Sequence, residues 1–567
     1  MEEIYLLLAD LQFPVGVSEN GKTAYSLLQR TVLLMPDLQY ARDIAALSRS
    51  VLLSPSIWQE VGSTFATDSN KPVSILVSDA FRSCIRARLA RPNRYPDVST
   101  ERDIFLFISA IISGIDSCSE DVSERSVAVL TGVLSSSPVG CLSLIESAYV
   151  AIFNELCRNP TVSDPLAFAV LSTISFGKLS PPARNKLCFT SSILDLYLQV
   201  LFSPSRAPLA SSYAGPLAQM IRFMFPSLLN SSGPTSVQSS LDIISEYSHL
   251  IRTTFNSKES VFSAVAALTG LVDALQITSR FWTRASKRTI FHICSDILII
   301  LRNLSTTIYK ISLSGFGAEG YLHSATIGLL VSTAEDMKSL ISSLQQTDSE
   351  AEKLFYFNTV ERILLASTNA KPLAGDCLSD MLDPARQVIS NVSRRSLTES
   401  DEHLMTRAIH EAAHAVFLAS LQVPAIASSN ANYVRQVYLL KILWLFDDGL
   451  ISSRQVAAAI HAIISAFTPE SGILCYKEPE FAQSFLLPLL RERLKRSNQS
   501  FMLNLYLDTV FACASPNNIS YWLTGIEGAA DAVAQHIRNG DIPSICADNV
   551  IQWWFLHQTF EQRSSHL

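Results

Sequence analysis

Along this chain, apolar residues recur at intervals of three and four rather than two. Leu241, Ile244, Tyr247 and Ile251 share one helical face, as do Val456, Ile460, Ile463 and Phe467, a period that predicts amphipathic helices and not strands. Helix starts are also legible. Ser452 stands three residues before Gln455, the spacing at which each side chain can cap the other's free backbone N–H. Strict period-two alternation is hard to find. Apolar stretches are rich in Leu, Ala and Ile, and there are only 20 glycines, which favours helix over sheet. The expected fold class is all-α.

A recurring phrase suggests how the helices are joined. V-L-(L/F)-S-P-S occurs at Val51–Ser56 and Val200–Ser205, with the looser VLSSSP at Val133–Pro138. Serine is a preferred N-cap and proline is welcome in a first helical turn, so the phrase predicts one helix ending and the next beginning. Its spacing is irregular, which implies stacked helical hairpins, an irregular HEAT-like solenoid. Polar clusters at Asn230–Ser236 and Asn391–Glu402, with shorter breaks at Thr67–Pro72 and Pro92–Thr100, divide the chain into an N-terminal region 1–229, a middle region 230–395 and a C-terminal region 396–562. Residues 563–567 form a polar, flexible tail.

Composition changes this picture in three ways. At 567 residues the chain is too long for one core. Its 48% hydrophobic and 17% charged residues, against about a quarter charged in an average domain, require much of the surface to face other helices or partners. The net charge of −7 argues against broad electrostatic binding to nucleic acid or to anionic lipid. The densest basic cluster, Arg82, Arg86, Arg88, Arg91 and Arg94, spreads around a short helix and reads as its solvated face. Ten cysteines without a C-x-x-C pair read as small core residues in a reducing compartment, not as a zinc knuckle or a disulfide framework. The opening MEEIYLLLADLQF carries two glutamates where a secretory signal would be basic. The uncharged stretch Ser126–Ile145 has the nominal length of a membrane span, but SSSPVG at its centre predicts two buried helices joined by a turn.

One motif resembles chemistry. His410-Glu411-Ala412-Ala413-His414 matches H-E-x-x-H, in which two histidines one turn apart bind zinc and the glutamate is a general base. There is no G-x-x-H continuation, no third ligand of the E-x-x-x-D type in the next helix and no GxxxxGK[ST] loop. His403, Arg407, His410 and His414 fall on one stripe opposite Met405, Ala408, Ala412, Val416 and Ala419, so a metal there would sit beside a permanent positive charge. The motif reads as the polar face of an ordinary helix, and neither metal nor cofactor is expected. No catalytic elbow, dinucleotide fingerprint or kinase set is present. His249, His292, His323, His461 and His536 read as isolated core or surface histidines, and Trp553, Trp554 and Phe555 as core packing in the last helix.

The sequence ends Ser565-His566-Leu567, a variant of the S-K-L peroxisomal address. A receptor pocket for such a tail reads the free carboxylate, a small first side chain, a basic second one and a leucine. With Val51–Trp58 (VLLSPSIW), Ala412–Pro424 (AAHAVFLASLQVP) and Phe511–Leu523 (FACASPNNISYWL), it resembles the peroxin-8 family of yeasts and filamentous fungi. The resemblance implies a non-enzymatic, peripheral protein on the lumenal face of the peroxisomal membrane. There it would bind the targeting-signal receptor through Ser565, His566 and Leu567 and link the docking and RING-finger subcomplexes during matrix-protein import. The N-terminal nonapeptide address of some members is not found here. Two other classes fit the residues: a cytosolic helical scaffold whose SHL ending is accidental, and a zinc peptidase using His410, Glu411 and His414.

Overall fold

The computed structural model describes residues 2–12, 20–58, 72–91, 100–118, 122–158, 162–203, 207–232, 242–244, 246, 257–279, 284–313, 315–333, 337–367, 375–391, 404–423, 432–467, 480–496 and 500–564. Among them every regular element is a helix, and the helices pair into irregular antiparallel hairpins, a HEAT-like array. Contacts divide the chain into two compact units, 1–326 and 327–567. The polar clusters at 233–236 and 392–402 lie outside the described residues.

In the first unit the principal helices are α1 (Glu2–Gln12), α2 (Asn20–Leu34), α3 (Ala41–Leu53), α4 (Val73–Leu89), α5 (Thr100–Asp116), α6 (Ser123–Ser136), α7 (Leu142–Arg158) and α8 (Pro165–Lys178). Alternate helices pack together: α2 on α4, α4 on α6 and α6 on α8 form one layer, while α3 on α5 and α5 on α7 form the other. The next helices are α9 (Ser191–Leu201), α10 (Ala214–Ser232), α11 (Lys258–Thr278) and α12 (Arg284–Ile311), with α10 lying closely along α11. Such stacking puts central helices between neighbours on every side. In α6 all nine residues from Ser126 to Leu134 are buried, as are Leu166 to Thr173 of α8. A helix apolar all round belongs in that position. Thr131, Ser172 and Ser175 cost little there because they bond within the layer, whereas the Ser126 hydroxyl is buried without a partner. Thr131 Oγ1 donates to the Val127 carbonyl at 2.6 Å and lies 2.7 Å from Ser175 Oγ, and Ser172 Oγ donates to Phe168 O at 2.6 Å.

Close crossings depend on three glycines. A Cβ on Gly132 of α6 would overlap the Ser78 carbonyl oxygen of α4. One on Gly270 of α11 would overlap the Ala218 carbonyl of α10, and one on Gly114 of α5 would meet the Ala45 carbonyl of α3 at 2.5 Å. Each glycine lets one backbone lie against another.

The described joints follow the sequence with one change of mechanism, while Pro204 and Ser205 of the second phrase lie outside the described residues. At VLLSPS, α3 ends at Leu53 and a short helix starts at Pro55. The cap is the Ser54 carbonyl, which accepts from the N–H groups of Ile57 and Trp58, while the Ser54 hydroxyl is buried without a partner. At Ser137–Pro138 the backbone is extended and separates α6 from the turn leading into α7. The uncharged stretch is therefore two packed helices. Among the described residues, two segments are long and apolar enough by length and composition to cross a membrane, Val139–Arg158 and Lys258–Thr278. In the first, Glu146 accepts from Ser180 N and Oγ at 2.6 and 2.9 Å. Asn154 bonds Lys186 O and Cys188 N. The second buries thirteen residues, Val261, Leu268 and Leu275 among them.

The basic cluster of α4 is a solvated face only in part, since Arg86 is exposed while Arg88 is largely enclosed. Arg88 pairs with both Asp103 oxygens at 2.6 and 2.7 Å and donates to the Pro36 and Leu38 carbonyls at 2.8 and 2.9 Å. Arg82 pairs with Asp79, and Arg91 with Asp37. Long-range partners that helical periodicity cannot reveal make clamps of Arg88 and Arg91, whereas Asp79 lies one turn from Arg82 on the same helix. Arg94 lies outside the described residues. Cys84, Cys118, Cys141, Cys157, Cys188, Cys294, Cys513 and Cys546 carry free thiols.

In the second unit, α13 (Gly317–Thr333) spans the boundary and is followed by α14 (Glu350–Ser367), α15 (Gly375–Asn391) and α16 (Leu404–Ser420), the last packed on both α14 and α15. A π-turn at Val434–Tyr438 leads into α17 (Leu439–Asp447). Then come α18 (Ser453–Phe467), α19 (Leu487–Arg496), α20 (Ser500–Cys513), α21 (Ala529–Asn539) and α22 (Ser544–Ser564). The reciprocal cap at α18 is formed: Ser452 N donates to Gln455 Oε1 at 2.8 Å and Gln455 N to Ser452 Oγ at 3.3 Å. Val456, Ile460 and Ile463 are buried. So is Ile244, whereas Leu241, Tyr247 and Ile251 lie outside the described residues. In the aromatic run of α22, Trp553 is buried and stacks on His557 at 4.2 Å, while Phe555 is 57% exposed. Core packing describes Trp553 and not Phe555.

Candidate functional site

The sequence singled out two places, of which the helix α16 is described. Ile409, Ala412, Ala413, Val416, Phe417, Ala419 and Ser420 are buried, a wide arc that follows from packing against two helices at once. The stripe of His410 and His414 is therefore not solvated. Both imidazoles are partly buried. His414 Nδ1 lies 3.3 Å from the Tyr438 hydroxyl, and its ring is 5.5 Å from the Tyr438 ring, which packs on Phe417 at 4.4 Å. His410 Nδ1 is enclosed without a hydrogen-bond partner. His403 lies outside the described residues. The periodicity places the two histidines together correctly; the burial comes from helices distant in sequence.

The electrostatics follow from that burial. Removal from water lowers the His410 pKa to about 4, helped by the positive charges of Lys353 and Lys441. Desolvation, and then His410 itself, lowers His414 to about 4. Both rings are neutral at pH 7. Glu411 points elsewhere: it is exposed, pairs with Arg407 at 3.3 Å and accepts from Gln455 Nε2 at 3.1 Å. The three members of the motif thus face different surroundings. Among the described residues no three His, Cys, Asp or Glu side chains are grouped to hold a metal ion.

Two histidine pKa values below the ordinary 6.5 have a consequence for stability. The unfolded chain binds protons at these positions before the folded chain does, so their contribution is complete above about pH 6.5 and is lost as pH falls toward 4. Urea unfolding between pH 7 and 4 is expected to show this loss. Replacing both histidines with glutamine should flatten the profile over that window and leave any bound zinc unchanged. An unaltered pH profile, or zinc that disappears with the substitution, would contradict this reading.

Histidines that look isolated in the sequence also converge. His461 of α18 and His536 of α21 place their Nε2 atoms 3.9 and 4.0 Å from the two carboxylate oxygens of Asp508 on α20, and His536 Nδ1 is 3.5 Å from Asp541. Burial raises the pKa of Asp508, and the two imidazoles oppose that rise. No local signal announces this group, because its members come from three helices.

The second place, Ser565, His566 and Leu567, lies outside the described residues, immediately after α22. No curated protein matches the chain. Residues 4–144, about a quarter of the chain and the part built from α1 to α6 and the start of α7, match the family model described as the peroxin 8 protein-like, N-terminal domain, and it is to this family that the chain is similar.

Proposed function

We propose that this protein is a non-enzymatic peroxisome biogenesis factor on the lumenal side of the peroxisomal membrane. It binds the targeting-signal receptor, with Ser565, His566 and Leu567 as the receptor-read signal, and links docking and RING-finger peroxins during matrix-protein import. The observation that carries the reading is the match of residues 4–144 to the peroxin 8 N-terminal domain. The stacked helical array supports it, since such arrays offer extended surfaces to several partners at once. The chemistry at α16 also supports it: two enclosed neutral histidines and a glutamate already engaged in an ion pair and an amide contact are poorly arranged to activate water.

The test is affinity purification of the tagged chain from peroxisomal membranes, combined with alkaline carbonate extraction. Receptor, docking and RING-finger peroxins should co-purify, and carbonate should release the protein, because α11 is mostly buried and α7 holds Glu146 and Asn154 in hydrogen bonds to neighbouring segments. Recovery of cytosolic partners alone would favour the scaffold with an accidental ending. Retention in the carbonate pellet would mean that one of the two long apolar helices enters the bilayer.

A further inference from the structure

A groove of about 660 Å³ lies within the first unit, between α1, α3 and α5. Its floor is made of small side chains, Ala45, Ala46 and Ser50 from α3 with Ser113 from α5 and Ser117 just after it; Leu53 and Pro55 line it where α3 ends. The floor is shallow because Gly114 brings α5 against the Ala45 carbonyl. A floor of this kind lets another backbone approach closely.

Among the described residues, Arg49 is the only charged one lining the groove. It is exposed, and so is Arg42 two turns earlier on the same stripe of α3. These two differ from the other described arginines of 1–144. Arg30, Arg82, Arg88 and Arg91 pair with aspartates, Arg125 donates to the Leu52 carbonyl, Arg86 to Ser136, and Arg102 also has a partner. Arg42 and Arg49 have none among the described residues. Asp116, exposed beside Ser117, pairs with neither. Two unpaired arginines therefore stand seven residues apart on α3, about 10 Å along its axis at the helical rise, with Arg49 lining the groove and Arg42 two turns before it on the same stripe.

From this arrangement we infer that the groove is a docking site for an acidic segment of a partner protein. The segment carries two carboxylates about 10 Å apart, one for each guanidinium, and an apolar side chain that rests on Leu53 and Pro55. Arginine forks fit carboxylates bidentately. Because the chain as a whole is acidic at −7, attraction is local to this stripe and specific to segments that match its spacing. The site is separate from the terminal tripeptide and stands or falls independently of it.

The test uses the full chain and a fluorescent synthetic helix bearing two glutamates two turns apart and a leucine one turn further, with glutamine and lysine versions as controls. Anisotropy should show binding of the glutamate helix only. Arg42→Glu with Arg49→Glu should weaken it by about tenfold or more, and the lysine helix should then bind the doubly substituted chain. Ala46→Trp, at an exposed position, should block the groove with both charges in place. Since neither arginine holds the fold together, helical content and melting should be unchanged. Equal binding of the glutamate and glutamine helices, no binding of either, or failure of the charge swap would overturn the proposal. So would self-association of the chain that disappears on Arg49→Glu, because the occupant would then be a second copy.

Discussion

Substituting valine for Gly132 is expected to destabilise the first unit by about 3 kcal/mol, the upper part of the range for forcing extra atoms into a packed interior. The reason is local and rigid. A Cβ at this position would overlap the Ser78 carbonyl oxygen and would also crowd the Arg82 amide, and neither can move aside as a flexible side chain would. Either α6 must withdraw from α4, opening space beside Val129 and Val133, or both helices must bend. Gly270→Val should behave similarly where α11 lies against Ala218. The control is Gly328 of α13, which has nothing within 4 Å of an added Cβ and is exposed in mid-helix. There alanine should be neutral or stabilising by about 0.5–1 kcal/mol, since it is the better helix former. Denaturant unfolding of the three variants measures this directly. If Gly132→Val unfolds at the wild-type midpoint, the helices do not approach as closely as described.

Loss of Leu567 should have the largest effect on function. A C-terminal address is read as one unit of carboxylate and three side chains, so deleting Leu567, or adding one residue after it, removes the pocket-filling side chain and displaces the carboxylate together. Receptor affinity of the full chain should fall by about tenfold or more, the scale at which loss of one of two linked contacts becomes apparent. His566→Lys should strengthen binding, because the middle charge becomes permanent. The measurement compares the full chain, the chain lacking Ser565 to Leu567, and the isolated tail peptide. If none of the three binds the receptor, the peroxisomal reading gives way to a cytosolic scaffold. If the truncated chain binds as well as the full one, the contact lies on the helical body and the tripeptide is accidental.

The two substitutions probe different kinds of information. Helix class, the Ser452–Gln455 cap and the break at Ser137–Pro138 are decided within a few residues, by side-chain period, by hydrogen bonds across one turn and by the dihedral limits of proline. All are therefore legible in the sequence. Pairing His410 with His414 on one face belongs to the same class, since one turn of helix brings them together. What surrounds that face does not. Tyr438 and Lys353 reach the two histidines from segments more than twenty residues away, which is why a stripe that reads as polar is in fact partly buried and neutral. For the same reason the arginines of α4 look like a solvated face until Asp103 and Asp37 are brought to them. Arg42 and Arg49 look unremarkable until the structure leaves them without a partner. Local geometry and capping were determined by the chain alone. Burial, the pairing of charges, and the choice of which glycines must stay glycine were decided by the stacking of helices, because each depends on a neighbour whose distance in sequence carries no local signal.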